Sequence, residues 1–72
     1  MKEYRTIEQF EEICSSAING NWSQAFQECV EHCFYANDLI KAFEDNEFCG
    51  IGATDIALLA EGASDLRYKT LK

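Results

Sequence analysis

The chain has 72 residues, is 47% hydrophobic and carries a net charge of −7. That apolar share is too high for a disordered chain, the length allows one domain with a thin core, and the acidity disfavours direct binding to nucleic acid or an anionic membrane. No apolar run approaches the roughly 18 residues of a membrane span, and the charged first residues lack the apolar stretch of an export signal, so a cytoplasmic protein with reduced cysteines is expected.

Residues 6–19 read as the first helix. Thr6 and Gln9 fit the S/T-x-x-E/Q capping box, in which each side chain satisfies a backbone amide of the other. Ile7, Phe10, Ile13, Cys14, Ala17 and Ile18 fall at helical spacing on one face, with Glu8, Glu11 and Glu12 on the other. Gly20 follows where a left-handed residue would end the helix.

A second helix is expected from Asn21, with Trp22, Phe26, Cys29, Val30 and Cys33 along one face and Gln24, Gln27, Glu28 and Glu31 away from it. A third covers residues 38–46, with Asn37 as N-cap and Leu39, Ile40 and Phe43 as its apolar set. A rival reading joins the two. Trp22, Phe26, Cys29, Cys33, Ala36, Ile40 and Phe43 form a heptad stripe suited to one long helix. A break near residues 35–37 is preferred, because turning back lets a short chain fold compactly and Asn-Asp is a common turn pair.

Gly50 and Gly52 mark a turn, after which Ala53 or Thr54 opens a fourth helix with Asp55 in its first turn. Ile56, Leu59, Ala60, Ala63 and Leu66 line one face. Gly62 within it costs about 1 kcal/mol relative to Ala, which calls for either a close helix crossing or early fraying. Residues 68–72 are expected to be loose. The whole reads as an all-α fold, a compact bundle of three to four short helices, with residues 1–72 as one domain. Its expected core is Phe10, Ile13, Phe26, Val30, Ile40, Phe43, Ile56 and Leu59.

The cluster around Cys29, His32 and Cys33 is the one group with metal-ligand chemistry. It lacks the second close pair of a zinc site, and both thiols fall where the apolar face needs small hydrophobes. As nucleophiles they sit mid-helix among acids, the wrong field for a thiolate. The segment around Gly50 and Gly52 has neither the preceding strand nor the Lys of a phosphate loop. The expectation is therefore a protein that is not an enzyme, with no cofactor and no metal.

Charge is the informative feature. Between Thr6 and Leu66 twelve acids face one base, Lys41, a net −11. Such a body is steered toward basic surfaces. Glu44, Asp45 and Glu47 crowd a helix C-terminus, where acids oppose the dipole; a solvated helix end is the preferred reading, and retention for a partner is the rival one. Phe34 and Tyr35 are adjacent and cannot both lie on the core stripe of one helix, so one of them is expected at the surface. Tyr35 either offers a contact for Arg or Lys there or packs under the interhelix turn. The candidate partner-binding residues are Glu11, Glu12, Glu28, Glu31, Tyr35, Glu44, Asp45 and Glu47. In size, acidity and lack of a catalytic motif the chain resembles the small phage- or plasmid-borne anti-CRISPR and anti-restriction proteins. That resemblance of type implies an inhibitor of a host nucleic-acid-handling complex that presents acidic helices to a basic surface and binds neither nucleic acid nor membrane itself. The alternative is a homo-oligomeric structural or adaptor protein whose acidity only confers solubility, and a homodimer seam is expected around Trp22, Phe26 and Tyr35.

Overall fold

A computed structural model describes residues 4–46 and 50–70, which form four helices and, among those residues, no strand. Helix α1 (Ile7–Ile18) opens on the predicted capping box. The Gln9 N–H donates to the Thr6 hydroxyl at 3.3 Å, and the Thr6 N–H donates to the Gln9 side chain at 3.1 Å. It closes on Gly20, whose φ of +84° is the left-handed conformation anticipated for it. There the Gly20 and Asn21 amides donate to the carbonyls of Ala17 and Ser16, so the last turn leaves few orphan acceptors.

Helix α2 (Trp22–Glu31) starts after Asn21, whose side chain makes no capping bond. Its end settles the question of one helix or two. Cys33 has a φ of +63°, and the amides of Cys33 and Phe34 donate to the carbonyls of Val30 and Cys29 at 3.2 and 2.8 Å. This is the same closing motif as at Gly20, here with a cysteine in the position glycine usually fills. The chain therefore breaks, and Cys33 belongs to a turn rather than to the apolar face expected to carry it.

Helix α3 (Ala36–Asn46) begins earlier than the sequence suggested. Asn37 does not cap it. The residue before the helix is Tyr35, and its N–H donates to the Asp38 carboxylate at 3.0 Å. Helix α4 (Ala53–Thr70) opens in the same way, the Gly52 N–H donating to Asp55 at 3.2 Å. A carboxylate of the protein itself thus occupies the amide that a phosphate would need. The helix runs on through Tyr68, correcting the expectation of a loose tail from that residue, at least to Thr70.

The helices share one core. Helix α2 packs on α1 and α4, and α3 packs on α4 and more sparsely on α1. Phe10, Ile13, Ile56 and Leu59 are buried as expected. Phe26, Val30 and Phe43 are only half-buried against the core, and Ile40 is 46% exposed. In their place Phe34, Leu39, Cys14 and Cys29 are fully enclosed, with the Phe34 and Phe10 ring centroids 6.2 Å apart. The left-handed turn at Cys33 explains the exchange. It rotates α3 relative to the stripe running out of α2, so that Leu39 rather than Ile40 points inward.

Gly62 marks a close crossing. A Cβ built there would lie 2.4 Å from the Phe26 ring, so α2 and α4 meet edge to backbone at this point. The same packing, with Trp22 and Phe26 ring centroids 6.1 Å apart, turns two of the three residues expected to form a dimer seam toward the protein's own core, while Tyr35 is exposed.

Candidate functional site

The acids predicted to bind a partner fall into separate places. Glu12 projects from α1 toward α2, where it meets Glu28, with Glu31 and His32 close enough to act on its charge. Helical spacing sets this up. Glu12 and Ser16 are one turn apart on α1, as are Gln24 and Glu28 on α2, so two short polar rows meet along the seam. The Ser16 hydroxyl donates to the Glu28 carboxyl at 2.9 Å and the Gln24 amide donates at 3.4 Å.

Glu28 is not the exposed residue that the sequence suggested. It is 5% exposed, held between the two helices by those donors. Its hydrogen bonding to Glu12 raises the Glu12 pKa. The negative charge of Glu28, some desolvation and the charge of Glu31 raise it further, and His32 acts in the opposite sense. Two carboxyl groups are thus pressed together with a third nearby and only an imidazole to offset them.

This cluster has a pH signature. A carboxyl whose pKa is higher in the folded than in the unfolded chain makes the folded state bind more protons across the interval between the two values. Stability therefore falls as pH rises through that interval, from the ordinary glutamate value upward, and the loss is complete above it. Glu12→Gln keeps helix propensity and removes the ionisation. The variant is expected to lose less stability than the parent between about pH 4 and pH 7, and to be the more stable of the two at neutral pH. Urea midpoints across that range check it, and parallel pH profiles for the two proteins would contradict it.

Glu11 lies exposed on α1, where its charge also bears on Cys14. Glu44 and Asp45 are exposed near the end of α3. Asp45 lines a groove of about 360 Å³ that also holds Arg5, Asp38 and Lys41. In that groove Arg5 and Asp38 form an ion pair at 3.7 Å, tying the approach to α1 to the first turn of α3. Glu47 lies outside the described residues. Among the described residues, none of Glu11, Glu12, Glu31, Glu44 and Asp45 takes part in an ion pair.

Tyr35 is at the surface, 54% exposed, but one of its ring faces is already taken. The Arg67 guanidinium stands 3.9 Å from the ring centroid. The same side chain donates to the carbonyls of Cys29, at 3.1 Å, and of Phe34. Arg67 therefore holds the corner between α2 and α3 from the far side of the bundle, a role that nothing in its sequence surroundings signals.

The thiols do not converge. Cys29 faces the core, while Cys33 lies beyond the helix end in the left-handed turn, so they do not share a helix face. No group of three or more metal-ligating side chains with suitable geometry occurs among the described residues. Burial, helped by the Glu11 charge, pushes the Cys14 thiol up to about 12. Burial does the same to Cys29, against the opposing charge of Arg67 and aided by Cys14 and Glu28. Since the thiolate is the reactive form, native alkylation near neutral pH should mark the half-buried Cys33 and spare Cys14 and Cys29 until denaturant is added. Peptide mapping by mass spectrometry reads this directly, and equal labelling of Cys14 and Cys33 in the folded protein would contradict it.

No protein family, characterised protein or solved structure was found to match the chain. Among the described residues no helix is long and apolar enough to cross a membrane.

Proposed function

We propose that this protein is a non-enzymatic inhibitor of a nucleic-acid-handling defence complex, of the anti-CRISPR or anti-restriction type, and that it presents acidic helices to a basic surface where phosphates would otherwise lie. The observation that carries the reading is the Glu12, Glu28 and Glu31 cluster on α1 and α2. Glu12 meets Glu28 across the α1–α2 seam with Glu31 nearby, and no Lys or Arg is paired to Glu12 or Glu31 among the described residues. A cationic partner surface would relieve the crowding of negative charge at Glu12 and Glu31. The net −11 between Thr6 and Leu66 supplies the long-range steering.

The test is binding to purified restriction and CRISPR effector complexes, with nucleic acid as competitor. Association should slow sharply as salt shortens the screening length from about 10 Å at 0.1 M to about 3 Å at 1 M. Nucleic acid should displace the protein, and Glu12→Lys with Glu31→Lys should abolish binding while circular dichroism shows an intact fold. Binding indifferent to both salt and the double reversal would refute the proposal.

The alternative, a homo-oligomeric adaptor whose acidity only keeps it soluble, draws support from an exposed apolar groove between α3 and α4 where Ile40 and Phe43 meet small residues of α4. Sedimentation equilibrium distinguishes the two, since that reading requires a dimer or larger at micromolar concentration.

A further inference from the structure

The groove between α3 and α4 encloses about 310 Å³. Ile40 and Phe43 form its wall on α3. Ala53, Ala57 and Ala60, spaced one helical turn apart, form a low floor on α4 that another helix can approach closely. Glu44 is the one charged residue on its lining. It lies in the last turn of α3, where the helix dipole presents its negative end and where no basic residue offsets it. The groove therefore joins a hydrocarbon floor to a rim that attracts cations.

Charge decides what fits. A second copy of this chain would set −7 against −7, and phosphates of nucleic acid or lipid would meet the Glu44 carboxylate. A helix with aliphatic residues on one face and Lys or Arg along its flank satisfies both floor and rim. We propose that the α3–α4 groove receives a basic amphipathic helix of the protein partner. This rests on the reading that the partner is a basic protein surface, and adds where and in what form it docks.

The probe is a synthetic helical peptide with leucines at helical spacing on one face and lysines on its flanks. The control carries glutamate in place of every lysine. With the full chain, the largest amide shifts on adding the lysine peptide should fall at Ile40, Phe43, Ala57 and Ala60, and the glutamate peptide should not bind. Ala57→Gln, which fills the exposed floor without touching the core, and Glu44→Lys should each weaken binding about tenfold or more. Shifts centred on Glu12 and Glu31, equal binding of the two peptides, or a peptide-free dimer that closes the groove would overturn the proposal. The two readings fail separately when the variants are carried to the effector complexes. Binding that survives Ala57→Gln but is lost on reversing Glu12 and Glu31 removes the groove and leaves the basic partner standing. Binding that ignores salt and every acid reversal removes both.

Discussion

Phe34→Ala is expected to leave the protein largely unfolded at room temperature. Phe34 is 1% exposed, its ring packs against Phe10, and it sits at the point where the chain leaves α2 for α3. Truncating a buried Phe costs about 3–5 kcal/mol. A whole domain is stable by only about 5–15 kcal/mol, and one this small belongs at the lower end. Phe26→Ala should cost less, because its ring is half-buried at the crossing with Gly62. Circular dichroism and urea melts of the two variants rank them. A Phe34→Ala protein that melts cooperatively near the parent midpoint, or one more stable than Phe26→Ala, would show that the core has been misplaced.

Arg67→Met should destabilise by about 2–4 kcal/mol, since it removes two hydrogen bonds from a charged donor to main-chain carbonyls as well as the contact with the Tyr35 ring. Methionine keeps much of the apolar stem, so most of the loss reports on the guanidinium. Arg67→Lys should recover part of it, because an ammonium still donates to carbonyls but offers no flat face to Tyr35. The urea midpoint of the methionine variant is the measurement. A shift within the scatter of ordinary surface substitutions would mean that water replaces Arg67 without penalty.

These two residues also show where the sequence could be read and where it could not. Helix α1 was legible at both ends because its signals are local and chemical, the Thr6–Gln9 box at the start and Gly20 at the finish. Gly62 was legible as an anomaly with two explanations, and the Phe26 ring above it selects the crossing. The end of α2 was not legible in the same detail. Its left-handed residue is Cys33, which carries none of the glycine or asparagine marking that usually betrays such a position. With that turn unseen, the break falls near residues 35–37, Ile40 is chosen for the core over Leu39 from the same apolar set, and nothing gives a reason to enclose Phe34. Arg67 was invisible for another reason. Its acceptors lie 38 and 33 residues earlier in the chain, and no local pattern reports a contact of that span.

The site was legible in part for comparable reasons. Periodicity placed Glu11, Glu12 and Glu31 on exposed helix surface, where they are found. It misjudged Glu28 because burial there depends on Ser16 and Gln24 supplying donors from two helices. The Gln24–Glu28 pair, one turn apart, was the available hint. The α3–α4 groove could not be anticipated while Ile40 was assigned to the interior, since its exposure is what opens the groove.

Arg67 has one more consequence, which concerns the order of assembly on the ribosome. Helices α1, α2 and α3 are all synthesised before the side chain that secures the corner between the second and third. Helices α1 and α2 end on local hydrogen-bonded turns at Gly20 and Cys33, but α2 packs on α4 as well as on α1, so its burial is completed only when α4 is present. Over the same interval the Cys29 carbonyl has only the Phe34 amide of the closing turn and the Phe34 carbonyl lacks its Arg67 donor, so the path leading into α3 is less firmly held. The joint between α2 and α3 therefore sets late, once the turns of α4 that carry Arg67 can fold back onto it.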